Sequence, residues 1–200
     1  MRAANHASGF TLIEAIVALA IFAILVALGV PAMRLWVSNV KCRAIADALQ
    51  NGVRLAQAES LRRSRQVVFS LTNSPSPNIS LTAAINGSYW SINTIPAMTD
   101  GSEPAAFVES GVLGFTASSN AVVTGPAEIC FNSAGRLVAN AATGVPGGSC
   151  TLPNTTPPVW VYNVSLAGAD HPMQVEVYLG GRVHMCDPSQ TYSSTNPYGC

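Results

Sequence analysis

Glu14 is a lone carboxylate inside an apolar run that begins at Gly9-Phe10 and continues to Val30. A run of about twenty such residues crosses the hydrocarbon core of a bilayer as a helix. A carboxylate within it costs on the order of 2.5–3.5 kcal/mol on insertion scales, so an intramembrane acid marks a functional site by default. Two things relieve that cost: a cationic partner, or snorkelling of the side chain to the interface. The eight residues before Gly9, MRAANHAS, carry Arg2 as their one charge. A positive head of this kind stays cytoplasmic and sends the bulk of the chain outward.

The other chemistry-bearing residues form no catalytic pattern. His6, His171 and His184 are scattered, and no Ser/His/Asp, HExxH or phosphate-loop spacing occurs. His171, in Ala169-Asp170-His171-Pro172, reads as a solvated turn residue. The expectation is therefore a protein without enzymatic activity and without cofactor or metal. Cys130, Cys150, Cys186 and Cys200 lie in the outward-facing part, an oxidising setting that favours disulfides over free thiols. Their spacings are not those of a zinc site. Of the three pairings, Cys130–Cys150 with Cys186–Cys200 is favoured, because each bond closes a short Gly/Pro/Ser-rich loop and is worth about 3 kcal/mol in the chain-entropy model. Cys130–Cys186 competes, since both fall on expected strands. Cys42, on the helix, reads as a small buried hydrophobe.

These residues need elements to hold them. Residues 10–64 read as one long helix of roughly 80 Å at about 1.5 Å per residue. Pro31 follows Gly29-Val30 and should kink the helix near the membrane exit, because proline lacks the backbone donor and clashes with the preceding turn. Beyond it, Cys42, Ile45, Leu49, Gly52, Val53, Ala56 and Ser60 recur at steps of three and four, the stripe with which a helix packs on a sheet. The small residues at 52, 56 and 60 permit close approach. Arg62, Arg63 and Arg65 belong to a solvated last turn, where cations complement the helix dipole. Trp36, beside Arg34, reads as an interfacial anchor.

After residue 65 the period becomes that of strands. Short β-type runs are expected at 67–71, 88–95, weakly at 111–115, at 128–132, 136–138, 159–167, 173–179 and 182–186. Trp90 and Trp160 fall in these runs and read as core. Ser133-Ala134-Gly135 and Gly180-Gly181 are hairpin signals, the second for a two-residue turn. Residues 139–158 and 187–200 read as loop. The fold class is thus α+β: a long helix, half transmembrane and half amphipathic, on a small antiparallel head with disulfide-bonded C-terminal loops. The segments are 1–9, 10–31 (membrane), 32–65 (amphipathic helix) and 66–200 (head). Charge divides along the same line. Seven basic residues between Arg34 and Arg65 face Asp47 and Glu59, whereas Arg136 and Arg182 face seven acids from residue 66 onward.

A secretory signal peptide would need an apolar core of roughly 7–15 residues and a small-residue cleavage site, and Pro31-Ala32-Met33 is a poor one. A plain anchor explains the apolar run but not Gly9-Phe10 or Glu14. Gly9-Phe10-Thr11-Leu12-Ile13-Glu14 resembles, position by position, the processing motif of type IV prepilins and type II secretion pseudopilins. The resemblance implies that residues 1–9 are a leader. A prepilin peptidase would cut between Gly9 and Phe10 and methylate the new amine of Phe10. Glu14 would pair with the N-terminal amine of a neighbouring subunit as the helix enters a filament. The implied partners are that peptidase, other minor pilins and the major pilin through their N-terminal helices, the inner-membrane assembly platform and membrane lipid.

In the head, residues 55–69, Ile129-Cys130-Phe131-Asn132-Ser133-Ala134-Gly135-Arg136-Leu137 and 175–186 resemble the FimT/GspH class of minor pilins and pseudopilins. That resemblance implies a minor pilin at or near a pilus tip that primes assembly. The alternatives are an H-type pseudopilin of type II secretion and a DNA-binding minor pilin for natural transformation. For the last, the resembling run is Gly181-Arg182-Val183-His184, with histidine where that class has a second arginine. A mostly uncharged histidine and an acidic head are a poor template for phosphate contacts, so DNA is the less favoured partner. The implied location is the inner membrane with the head in the periplasm, then a pilus tip or a periplasmic pseudopilus.

Overall fold

The computed structural model describes residues 11–96, 104–114 and 121–200. One helix, α1 (Leu12–Arg63), carries the chain from the apolar segment to the head. Thr11 caps its start, its hydroxyl accepting the Glu14 N–H at 3.3 Å. Its end is fixed by Ser64 in the left-handed conformation, with the Ser64 and Arg65 N–H groups bonded to the carbonyls of Leu61 and Ser60. Arg65 therefore lies past the helix. Arg62 and Arg63 occupy the last turn, and both pair with Glu59 at 2.6 and 2.7 Å.

Among the described residues nine strands follow: β1 (Val67–Thr72), β2 (Tyr89–Thr94), β3 (Ala106–Val112), β4 (Ala121–Thr124), β5 (Glu128–Phe131), β6 (Leu137–Val138), β7 (Val159–Leu166), β8 (Met173–Tyr178) and β9 (Val183–Cys186). They form two antiparallel sheets, β3-β2-β1-β5-β6 and β4-β7-β8-β9, and α1 packs against strands of both. The strands of the antiparallel head are thus divided between two sheets. Period-2 patterning marks a strand but does not name its neighbour. β4 was not anticipated, and the third strand begins earlier than expected, at Ala106. Gly111 sits near its end because a Cβ there would collide with the Trp90 indole.

The helix stripe is buried throughout: Cys42, Ile45, Leu49, Val53, Ala56 and Ser60 are at most 3% exposed. The apolar members, Cys42 to Ala56, meet Phe69 of β1, Ile129 and Phe131 of β5, and Tyr162, Val164, Val175 and Val177 of the second sheet in one core. Gly52 sets the closest approach, where a Cβ would stand 3.0 Å from the Phe69 ring and 3.1 Å from Trp90. Gly52→Val should overpack this contact and lower stability by about 1–3 kcal/mol. A thermal unfolding curve unchanged from wild type would show that the rings can yield.

A second, smaller cluster covers the far face of the first sheet: Val68, Leu81, Ala83, Ile95, Cys130, Val145 and Cys150. The Cys130–Cys150 disulfide pins the 139–150 loop over it, and Cys186–Cys200 closes the C-terminal loop. Cys42 is free and buried, its thiol 3.4 Å from the Val164 carbonyl.

Candidate functional site

The N-terminal segment is built to be covered by something other than its own head. Every described side chain from Thr11 to Val30 is exposed, and the most apolar 18-residue window has a mean hydropathy of 2.8 with none of it buried. Glu14 lies on this surface beside Ile13, Val17, Ala18 and Ile21. Thr11 and Glu14 have the Thr-x-x-Glu spacing of a capping box, and a first-turn carboxylate also complements the positive end of the helix dipole. That cap was readable in the sequence from the spacing alone. Gly9 and Phe10 lie outside the described residues. The helix continues past Pro31 as a single element.

The far end of the helix holds the two hairpins together. The β5–β6 loop is Ser133-Ala134-Gly135, closed by Asn132 N–H to Arg136 carbonyl at 2.9 Å, with Gly135 at φ +70°. The β8–β9 loop is Leu179-Gly180-Gly181, closed by Tyr178 N–H to Arg182 carbonyl at 2.9 Å. It is therefore a three-residue loop, not the two-residue turn expected. The left-handed residue is Gly181 (φ +94°), as a type I turn followed by an αL residue requires. Gln57 of α1 donates to the Gly135 carbonyl at 2.9 Å, Arg54 donates to the Val183 carbonyl at 3.1 Å, and Leu137 N–H reaches the Leu179 carbonyl at 3.1 Å. A Cβ at Gly181 would collide with the Gly135 carbonyl and the Gln57 amide. One face of the helix thus clamps both sheets.

Arg182 and His184 sit on the second hairpin. The Arg182 guanidinium lies 4.0 Å over the Tyr178 ring, and the Tyr178 hydroxyl donates to Glu176 at 2.8 Å. Glu176 stands opposite His184 in the β8–β9 ladder. The arginine is therefore stacked on its own hairpin, with a carboxylate on the same strand pair.

Residues 4–30 match the family model described as the prokaryotic N-terminal methylation motif. The apolar helix thus starts within a prokaryotic N-terminal methylation motif. Among solved structures, it is similar to two crystal forms of the Pseudomonas aeruginosa type IV minor pilin FimU. The P21 form matches at 14% identity and the P65 form at 15%, each with a TM-score of 0.46. The alignments cover 76% of this chain and 92% or 98% of the FimU chain. No curated protein sequence matches.

The remaining candidates are placed as follows. His171 is more than a solvated turn residue: its Nδ1 lies 3.0 Å from Asp187 Oδ2, and Asn39 of α1 accepts its backbone N–H at 3.3 Å. The hydrogen bond to Asp187, with Asp170 adding, holds the imidazole above its ordinary value. Burial pushes the Asp187 carboxyl up, but hydrogen bonds from Ser189 and His171 outweigh it and hold the group below the usual range. Trp90 is core, whereas Trp160 is half-buried, its Nε1–H donating to the Thr151 carbonyl at 3.2 Å. Among the described residues no cluster of three or more His, Cys, Asp or Glu could hold a metal.

Proposed function

We propose that the chain is a minor type IV pilin of the FimT/GspH class. Residues 1–9 are a leader removed between Gly9 and Phe10 by a prepilin peptidase, and Phe10 is then methylated. Residues 10–31 park the subunit in the inner membrane with the head, 66–200, in the periplasm, and Pro31 bends the helix at the membrane exit. Glu14 docks onto the terminal amine of a neighbour as the helix joins other minor pilins and the major pilin on the assembly platform. The subunit then sits at or near the tip and primes pilus growth.

The observation that carries this reading is the exposed apolar helix with its single carboxylate, at the segment that matches the methylation motif. A helix hydrophobic around its whole circumference must be covered, by lipid before assembly and by other helices after it. The stacking of Arg182 on Tyr178 and the nearness of Glu176 weigh against a phosphate-binding role for that hairpin.

The experiment is the yield of surface pili sheared from a strain lacking the gene. Priming predicts loss of pili, restored by the wild-type gene supplied in trans. Normal pili would sink the priming role and move the subunit to protein secretion or DNA uptake.

A further inference from the structure

A cavity of about 360 Å³ opens between the base of the head and α1. Trp36 and Arg43 line it from the helix, Met173 and Met185 from β8 and β9, and His171 and Tyr198 from the loops. Trp36 and Tyr198 are 65% and 69% exposed, large apolar faces that the head leaves uncovered. The carboxylates nearby are already engaged. Asp187 accepts from Ser189, His171 and Gln190, and Asp170 accepts from the Asn39 amide at 2.7 Å. Arg43 makes no ion pair among the described residues, and Asp187, the carboxylate that lines the same cavity, is turned to His171 and Ser189.

The height of the cavity follows from the same helix. No charge separates Glu14 from Arg34, and twenty residues at about 1.5 Å each span about 30 Å, one hydrocarbon core. With Glu14 at the inner boundary, Arg34 and Trp36 fall at the outer one, where tryptophan and snorkelling arginine are favoured. Arg43 stands about 14 Å further along, but long helical side chains lean back over the preceding turn, here toward the membrane. Its guanidinium then reaches the headgroup layer, about 5–8 Å thick on each side.

We propose that this cavity binds the phosphodiester headgroup of a membrane glycerophospholipid, with Arg43 on the phosphate and Trp36, Tyr198 and the two methionines against the glycerol and first methylenes. The proposal rests on the reading of the chain as a subunit parked in the membrane. The bound lipid holds the head against the bilayer until the helix is drawn into a filament and leaves the lipid behind.

The test is native mass spectrometry of the full-length chain extracted in mild detergent and supplied with phosphatidylethanolamine and phosphatidylglycerol. One retained phospholipid per chain is expected, not displaced by excess inorganic phosphate. Arg43→Gln should cut retention about tenfold, the scale of one charge-assisted hydrogen bond. Lys41→Gln, the same charge change outside the cavity lining, should leave it unchanged. Absence of an adduct, displacement by phosphate, or equal loss in both variants each overturns the site. Membrane fractionation scores the underlying reading separately. A chain in the membrane without bound lipid sinks the lipid site alone, whereas a chain outside the membrane sinks both.

Discussion

Glu14→Ala should leave the chain processed and inserted but reduce its incorporation into filaments by about ten- to a hundredfold. Removing the carboxylate also removes the cost of holding it at the inner edge of the hydrocarbon, so the variant inserts at least as well as wild type. The docked state then loses what offset that cost: a cation against the carboxylate where water is scarce. Losing one such charge-assisted contact, worth about 1.5–3 kcal/mol, shifts the docking equilibrium by roughly one to two powers of ten. Gly9→Leu should stop one step earlier, with uncut precursor in the membrane fraction. The pair separates cleavage from docking. Glu14→Ala present in sheared filaments at the wild-type level would assign the docking to another group. Gly9→Leu with the mobility of the mature chain would remove the peptidase from the account.

These expectations could be read from the sequence because they depend on local chemistry. A carboxylate in an apolar run, a stripe at steps of three and four, and Gly-rich hairpin signals are all visible in one dimension. The stripe from Cys42 to Ser60 is buried as its period requires, and both favoured disulfides form. What could not be read was pairing at long range. The division into two sheets depends on which strands meet, and nothing in Val159–Leu166 names Ala121–Thr124 as its neighbour. The His171–Asp187 contact is hidden for a related reason: the two residues lie sixteen apart, and it is the β8–β9 register, with Gln174 opposite Cys186, that sets them side by side while Asn39 anchors the His171 backbone. The two hairpins with family-like sequences were legible singly. Their meeting over Gln57 was not, because it depends on where one helix crosses both sheets.

Glu128 is the other residue whose role emerges only in three dimensions, and it links a disulfide to pH. It is 2% exposed, on the sheet face under the 139–150 loop, where the Ser70 and Thr143 hydroxyls donate to it at 3.2 and 3.0 Å. Gly148 lies so close that a Cβ there would stand 2.9 Å from the carboxyl carbon. Burial raises its pKa, with Thr143 and Ser70 opposing. A carboxyl raised in the folded state binds its proton more tightly there than in the unfolded chain. Its contribution is therefore fully present below the ordinary glutamate range and lost as pH rises through the folded value. Folding stability should accordingly fall as pH climbs from that range, and Glu128→Gln, which puts a non-titrating amide in place of the acid, should flatten the fall. Replacing Cys130 and Cys150 by serine should cost about 3 kcal/mol from the freed loop. It should also flatten the pH dependence, because a loop no longer pinned lets water reach the carboxyl. Denaturant melts of the three chains across pH check both effects. If Glu128→Gln keeps the wild-type slope, the pH dependence arises elsewhere. If the serine variant keeps it, the cover over Glu128 is held by the Thr143 hydroxyl and by Asn140, whose side-chain amide donates to Gln66 at 2.9 Å, rather than by the disulfide.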